Sequence, residues 1–170
     1  MLLTISTTHR PATDLAGMLG QDPDAIRMET LPSGSAMVCV SQADEQRCTV
    51  AVMLQHPGQP ARPSLLADAL ASLFEPALSV EGPSIPLEVE TPLLSCPGGP
   101  ERLWGIFGPL GYHVTTTPVD GGNPDELAVK LTGQVPVADL LSHLCTELRA
   151  LDGKAKVRRR RARSAASAHQ

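Results

Sequence analysis

The sequence predicts a single α+β domain, with a mixed sheet of paired strands, about four helices and a disordered basic C-terminal tail. Three observations carry this. Strand-length apolar runs come in pairs joined by polar turns, not in strict strand–helix–strand alternation. Leucine-rich stretches with helical spacing separate and follow those pairs. A chain of 170 residues buries one core but hardly two.

Residues Met1–Thr7 (MLLTIST) have the β-branched, apolar content of a strand. A helix is expected over Ala12–Leu19, with Pro11 in its first turn, Thr13 or Asp14 near its start and Gly20 after its end. Ala36–Val40 and Arg47–Gln55 read as strands joined by the polar segment SQADEQ. Their almost unbroken apolar content predicts a sheet covered on both faces. His56–Pro63 is a Pro-rich loop, and Ser64 caps a helix bearing Leu65, Leu66, Ala69, Leu70, Leu73 and Phe74 on one stripe. Leu87–Leu94 alternates weakly and contains Pro92, which favours an edge strand.

The second half repeats a helix–strand–strand–helix rhythm. Glu101–Leu110 places Leu103, Ile106, Phe107 and Leu110 inward, and Gly111 turns the chain into the strand Tyr112–Thr117. The turn Asp120–Asn123 leads to a returning strand over Glu126–Thr132. Val137–Leu151 is an amphipathic helix with Leu140, Leu141, Leu144, Leu148 and Leu151 on one face. These elements make a domain of residues 1–152, followed by a basic tail, 153–170, that lacks any apolar pattern.

Composition narrows the function. Aromatic residues are 2% of the chain, which leaves no stacking platform for single-stranded RNA. The formal charge of −4 conceals an asymmetry: residues 154–170 hold seven of the fourteen Lys and Arg and no acid. Residues 1–153 therefore carry seven bases against eighteen acids, a net of −11, and repel phosphate. Cys39, Cys48, Cys96 and Cys145 are scattered without zinc spacing and are expected to be buried small hydrophobes. The absence of a leader pattern and of an eighteen-residue apolar run predicts a cytoplasmic protein with no membrane contact.

No phosphate-cradling, dinucleotide-binding, nucleophile-elbow or HExxH motif is present, so no catalytic residue and no metal ligand is assigned. His9, His56, His113 and His143 share no partner spacing; His143 is expected to be structural and His113 to face solvent. The least ordinary segment is Thr7–Pro11, between the first strand and first helix, where loops commonly carry function. Simple turn-setting by its threonines and Pro11 is the plainer alternative. In the tail, Arg158, Arg159, Arg160, Arg161 and Arg163 form a candidate RNA-binding run, or a solvated terminus.

The opening MLLTISTTHRPATDLAGML resembles the start of the bacterial Hen-type RNA 3′-terminal ribose 2′-O-methyltransferases of RNA repair. The likeness continues in ERCTVAVML at Glu45–Leu54 and in IPLEVETPLLSCPGGPERLWGIFGPLGYHV at Ile85–Val114. It returns in LTGQVPVADLLSHL at Leu131–Leu144. The chain departs from the family pattern around Gly20–Pro23, across His56–Leu73 and at Cys145. The resemblance implies the N-terminal domain of that family: non-catalytic, and docking on a polynucleotide kinase–phosphatase–ligase whose ligase step it stimulates. Thr8, His9, Arg10 and Asp14 match the family opening and are the candidate partner-binding residues. S-adenosylmethionine and a divalent metal would belong to a catalytic domain expected to be absent here, so no cofactor is expected in this chain. Two alternatives are the non-catalytic piece of a split methyltransferase, paired with a separate methyltransferase chain, and an RNA binder acting through its tail. A standalone enzyme is the weakest reading.

Overall fold

Along each long strand, burial alternates residue by residue. The first strand, β1 (Leu2–Thr7), buries Leu3 and Ile5, while Leu2 and Thr4 point the other way and stay partly open. A computed structural model describes residues 1–32, 34–56 and 62–168, the side chains only as far as Asp152. The strands that follow are β2 (Arg27–Leu31), β3 (Gly34–Ala43), β4 (Cys48–Gln55), β5 (Ile85–Ser95), β6 (His113–Pro118) and β7 (Glu126–Val135). They form one sheet in the order β2-β3-β4-β1-β5-β7-β6, every pairing antiparallel. The helices are α1 (Asp14–Met18), α2 (Pro63–Leu73), α3 (Pro100–Phe107) and α4 (Val137–Ala168). The α+β class is as expected, and the sheet left mixed by the sequence is antiparallel throughout.

The topology contains two βαββα units side by side. One runs β1, α1, β3, β4, α2; the other runs β5, α3, β6, β7, α4, and β2 is an extra edge strand inserted into the first. The units meet at the antiparallel β1–β5 pair, with Ile5 opposite Val89. Two buried threonines tie that junction. Thr7 Oγ1 donates to the Pro86 carbonyl at 2.6 Å, and Thr91 Oγ1 donates to the Leu2 carbonyl at 2.8 Å.

One continuous core lies beneath one face of the sheet. It joins Val38, Val50, Val52, Val89 and Leu131 from the strands to Leu15, Leu66, Leu70, Phe107, Leu141 and Leu144 from the helices. The expectation of a sheet covered on both faces is overturned: Met28 and Met53, on the other face, are 72% and 42% exposed. The apolar runs mislead because their outward positions hold Ala51, Met53, Met37 and Cys39, which are apolar yet uncovered or half-covered. Leu87–Leu94 was expected at an edge but lies in β5, paired with β1 on one side and β7 on the other. Pro92 fits there because the register with β7 shifts between Thr91 and Leu94.

The helices are tied down by polar contacts that the apolar pattern does not announce. Ser64 caps nothing with its side chain. The residue before α2 is Arg62, and the Ser64 amide and hydroxyl bond instead to the Asp152 carboxylate on α4, the amide at 3.0 Å. Arg102 on α3 reaches the carbonyls of Pro97 at 2.7 Å, Ala150 at 3.3 Å and Leu151 at 2.5 Å. Arg27, at the start of β2, donates to the Leu73 carbonyl at 2.6 Å and lies 5.6 Å from the centre of the Phe74 ring. That contact fastens a strand with no apolar pattern, RMETL, to the end of α2. Tyr112 packs over Gly133, where an added Cβ would meet the ring at 2.8 Å, and its hydroxyl bonds His143 Nδ1 at 2.7 Å. His143 is thus structural and His113 is exposed, as expected. The proposed loop over His56–Pro63 falls mostly outside the described residues, as do the side chains of the tail.

Thr7→Val and Thr91→Val keep the side-chain shape and remove the buried bonds from Thr7 to Pro86 and from Thr91 to Leu2, Thr7→Val also leaving the His9 amide without its acceptor. Urea denaturation is expected to show each lowering the unfolding free energy by about 1 kcal/mol, against about 2–5 kcal/mol for the core truncation Leu70→Ala.

Candidate partner-binding site

The segment after β1 is shaped by Thr7. Its hydroxyl, while donating to Pro86, accepts the His9 amide at 3.1 Å. The Arg10–Pro11 peptide is cis, and the Ala12 amide reaches the Glu45 carbonyl at 3.5 Å. This bend leaves Thr8, His9, Arg10 and Pro11 exposed and carries the chain into α1, where Asp14 is also exposed on the first turn. Thr8 borders a depression of about 240 Å³ shared with Ser6, Arg47, Glu88, Thr132 and Gln134. His9, Arg10 and Asp14 do not border it. Three of the four candidates from the sequence therefore share one exposed loop, the fourth, Asp14, begins α1, and Thr8 alone of them lines the depression.

That depression opens on the uncovered face of the sheet, which is built by cross-strand register. On its β5–β7 side stand Glu88, Glu90 and Lys130. Lys130 Nζ lies 3.0 Å from Glu88 Oε1 and 3.6 Å from Glu90 Oε1, and Arg47 approaches Glu88 Oε2 at 3.5 Å. Burial acts to raise the Glu88 carboxyl, but the hydrogen bond from Lys130 and the charges of Arg47 and Lys130 outweigh it and hold it below its ordinary value. The Glu88 hydrogen bond in turn raises the Lys130 ammonium. A second depression of about 390 Å³ lies beside this network, bordered by Leu2, Thr4, Glu90, Thr115, Thr117 and Lys130. On the β2–β4 side the same face carries an apolar row. Met28 lies opposite Met37, Met37 opposite Met53, and Met53 opposite Leu2, a row across four strands. Sequence reasoning passed over this row, because it requires the strand order and the registers. Its one local signal was methionine at alternate positions.

The remaining chemistry is subdued. Burial pushes the Cys96 thiol up to about 11 and also raises those of Cys48 and Cys145, so these sulfurs stay protonated and poorly nucleophilic near neutrality. Three of the four cysteines are buried as expected; Cys39, on the open face, is only partly covered. Among the described residues no group of three or more His, Cys, Asp or Glu is placed to hold a metal ion. Among the same residues no helix is long and apolar enough to cross a membrane.

The family model described as "RNA repair, ligase-Pnkp-associating, region of Hen1" matches residues 1–62 and 59–157. This chain belongs to that family. The resemblance drawn from the sequence therefore holds at family level. Two solved structures share the fold. A chain of "Structure of the Pnkp1/Rnl/Hen1 RNA repair complex" aligns over 87% of this chain with a TM-score of 0.62 at 13% identity. A chain of "Structure of Pnkp1/Rnl/Hen1 complex" aligns over 89%, with a TM-score of 0.64 at 15% identity. This chain spans 41% of the length of each of those chains. No curated protein matches it in sequence.

The depressed Glu88 value has a consequence for acid stability. A carboxyl held below its unfolded value stabilises the fold above the ordinary carboxylate range and loses that contribution as pH falls through its folded value. Glu88→Gln is expected to cost about 0.5–1 kcal/mol near neutrality, with the gap to wild type closing on acidification. Urea titrations at neutral and acidic pH measure both.

Proposed function

We propose that this chain is the non-catalytic, partner-associating N-terminal domain of an RNA 3′-terminal ribose 2′-O-methyltransferase, binding and activating the ligase of a bacterial kinase–phosphatase–ligase repair protein. The observation that carries the reading is the family match, which covers residues 1–157 and is described as associating with a ligase and Pnkp. The physical character of the chain supports it. The described surface has an open sheet face and an exposed loop suited to protein contact, while its buried thiols are poorly nucleophilic. In this reading the chain carries no cofactor of its own and performs no methyl transfer. S-adenosylmethionine and the divalent metal belong to the catalytic domain of the family. It works in the cytoplasm, where its partner and RNA are found.

Activation requires the domain to bind the adenylylation-competent state of the ligase more tightly than the other state. A second reading rests on the tail, whose seven Lys and Arg without a single acid suit phosphate contact. There the chain, alone or beside a separately encoded methyltransferase, holds RNA through residues 154–170.

Ligase adenylylation by the purified kinase–phosphatase–ligase, with and without this chain, tests the first reading. Stimulation that saturates with added chain is expected, and an unchanged rate with folded chain present contradicts it. RNA titration over a range of salt tests the second: deleting residues 154–170 is expected to abolish a salt-sensitive affinity carried by up to roughly seven phosphate contacts.

A further inference from the structure

The uncovered sheet face carries an apolar row that no helix covers among the described residues. Met28 on β2 is 72% exposed and Met53 on β4 is 42% exposed. Met37 on β3 lies between them in register, and Leu2 on β1 extends the row to the sheet centre. Ile26, just before β2, is 67% exposed and lengthens the apolar edge. On β1, β3 and β4 the residues flanking this row, Leu3, Ala36, Val38, Val52 and Leu54, are buried in the core, so Leu2, Met37 and Met53 cannot be tucked away by a local shift without turning the core outward. Three methionines and a leucine in register across four strands, two of the methionines exposed, mark an interaction surface, and methionine's flexible thioether adapts to an irregular partner.

Charge decides what covers it. The body is strongly acidic, with seven bases against eighteen acids over residues 1–153. Five of those seven bases are engaged with groups of this chain: Arg27 with the Leu73 carbonyl, Arg47 and Lys130 with Glu88, Arg102 with three carbonyls, and Arg149 with Asp68. The other two, Arg10 and Arg62, are exposed, but acid predominates on the described surface. Asp22 and Asp24 precede the exposed Ile26, and Asp44 and Glu45 occupy the β3–β4 turn, all four exposed. The body of a second copy bears the same excess of acid and is repelled by this face, and RNA is repelled by the body likewise. A protein that handles polyanionic RNA, by contrast, carries basic surface that an acidic domain attracts.

We infer that the row Met28–Met37–Met53–Leu2 on the open face is where the ligase-containing protein partner docks, through an apolar ridge rimmed by Lys and Arg. The inference rests on the function proposed above and adds to it the face, the residues and the partner chemistry. It also separates two roles on the domain. The helical side holds the fold together, and the sheet side is free to bind.

The test uses the full chain and the purified kinase–phosphatase–ligase. Met28→Lys and Met53→Lys place charge at exposed positions and leave the core untouched, which circular dichroism and thermal unfolding verify. Trp104→Lys, on the exposed side of α3, is the control on the opposite side of the domain. Calorimetric titration is expected to show the Met28→Lys/Met53→Lys double variant binding at least about tenfold more weakly, Trp104→Lys binding as wild type, and wild-type affinity falling with added salt. Equal binding by the double variant and wild type overturns the docking face while leaving the proposed function intact. No binding by folded wild-type chain overturns both. Sedimentation that shows a dimer dispersed by Met28→Lys, or RNA binding lost in that variant, assigns the face to another occupant and overturns the inference.

Discussion

The antiparallel pairing of β1 with β5 is the constraint on which the rest of the molecule depends. It joins two βαββα units that would otherwise present a four-stranded and a three-stranded sheet, each with its own helices. Ile5 and Val89 face each other at the junction, and the hydroxyls of Thr7 and Thr91 each bond a carbonyl of the neighbouring strand. Because antiparallel register admits one choice of inward residues, this pair sends Leu3, Ile5, Leu87 and Val89 to the same side. The cores of the two units then merge into one.

From that choice the asymmetry of the domain follows. The helices gather on the apolar side, where α2 packs against α4 and the Asp152 carboxylate, Arg102 and Arg27 satisfy backbone groups at element ends. The opposite face is left with whatever the alternate positions hold. On the β5–β7 side these are Glu88, Glu90 and Lys130, a balanced cluster at home in water. On the β2–β4 side they include Met28, Met37 and Met53, a choice that gives the isolated fold little and gives a bound partner a contact surface.

Much of this was legible residue by residue. The strands at Met1–Thr7 and Glu126–Thr132, the amphipathic helices beginning near Ser64 and Val137, and the structural character of His143 followed from spacing and composition. The candidate loop at Thr8–Asp14 was legible as an exposed strand-to-helix connection, and the structure makes it so. What escaped has a common cause. β2 reads RMETL, a segment with no apolar pattern, and becomes a strand because β3 offers an edge and Arg27 reaches the end of α2. Leu87–Leu94 looked like an edge because Pro92 cannot donate to a ladder, yet the bulge after Thr91 absorbs it within the sheet. Ser64 looked like a helix cap and instead meets Asp152, 88 residues later in the chain.

By itself the sequence determined the α+β class, the acidic body, the family and most of the helices and strands. The family is carried by the resemblance of whole segments such as MLLTISTTHRPATDLAGML, and the others are written in local spacing or in composition. Only the tertiary structure decided the strand order, the burial of a single sheet face and the gathering of Met28, Met37, Met53 and Leu2 into one row. Those features depend on register between strands far apart in the chain, and an apolar residue at an alternate position reads the same whether it faces a helix or open water.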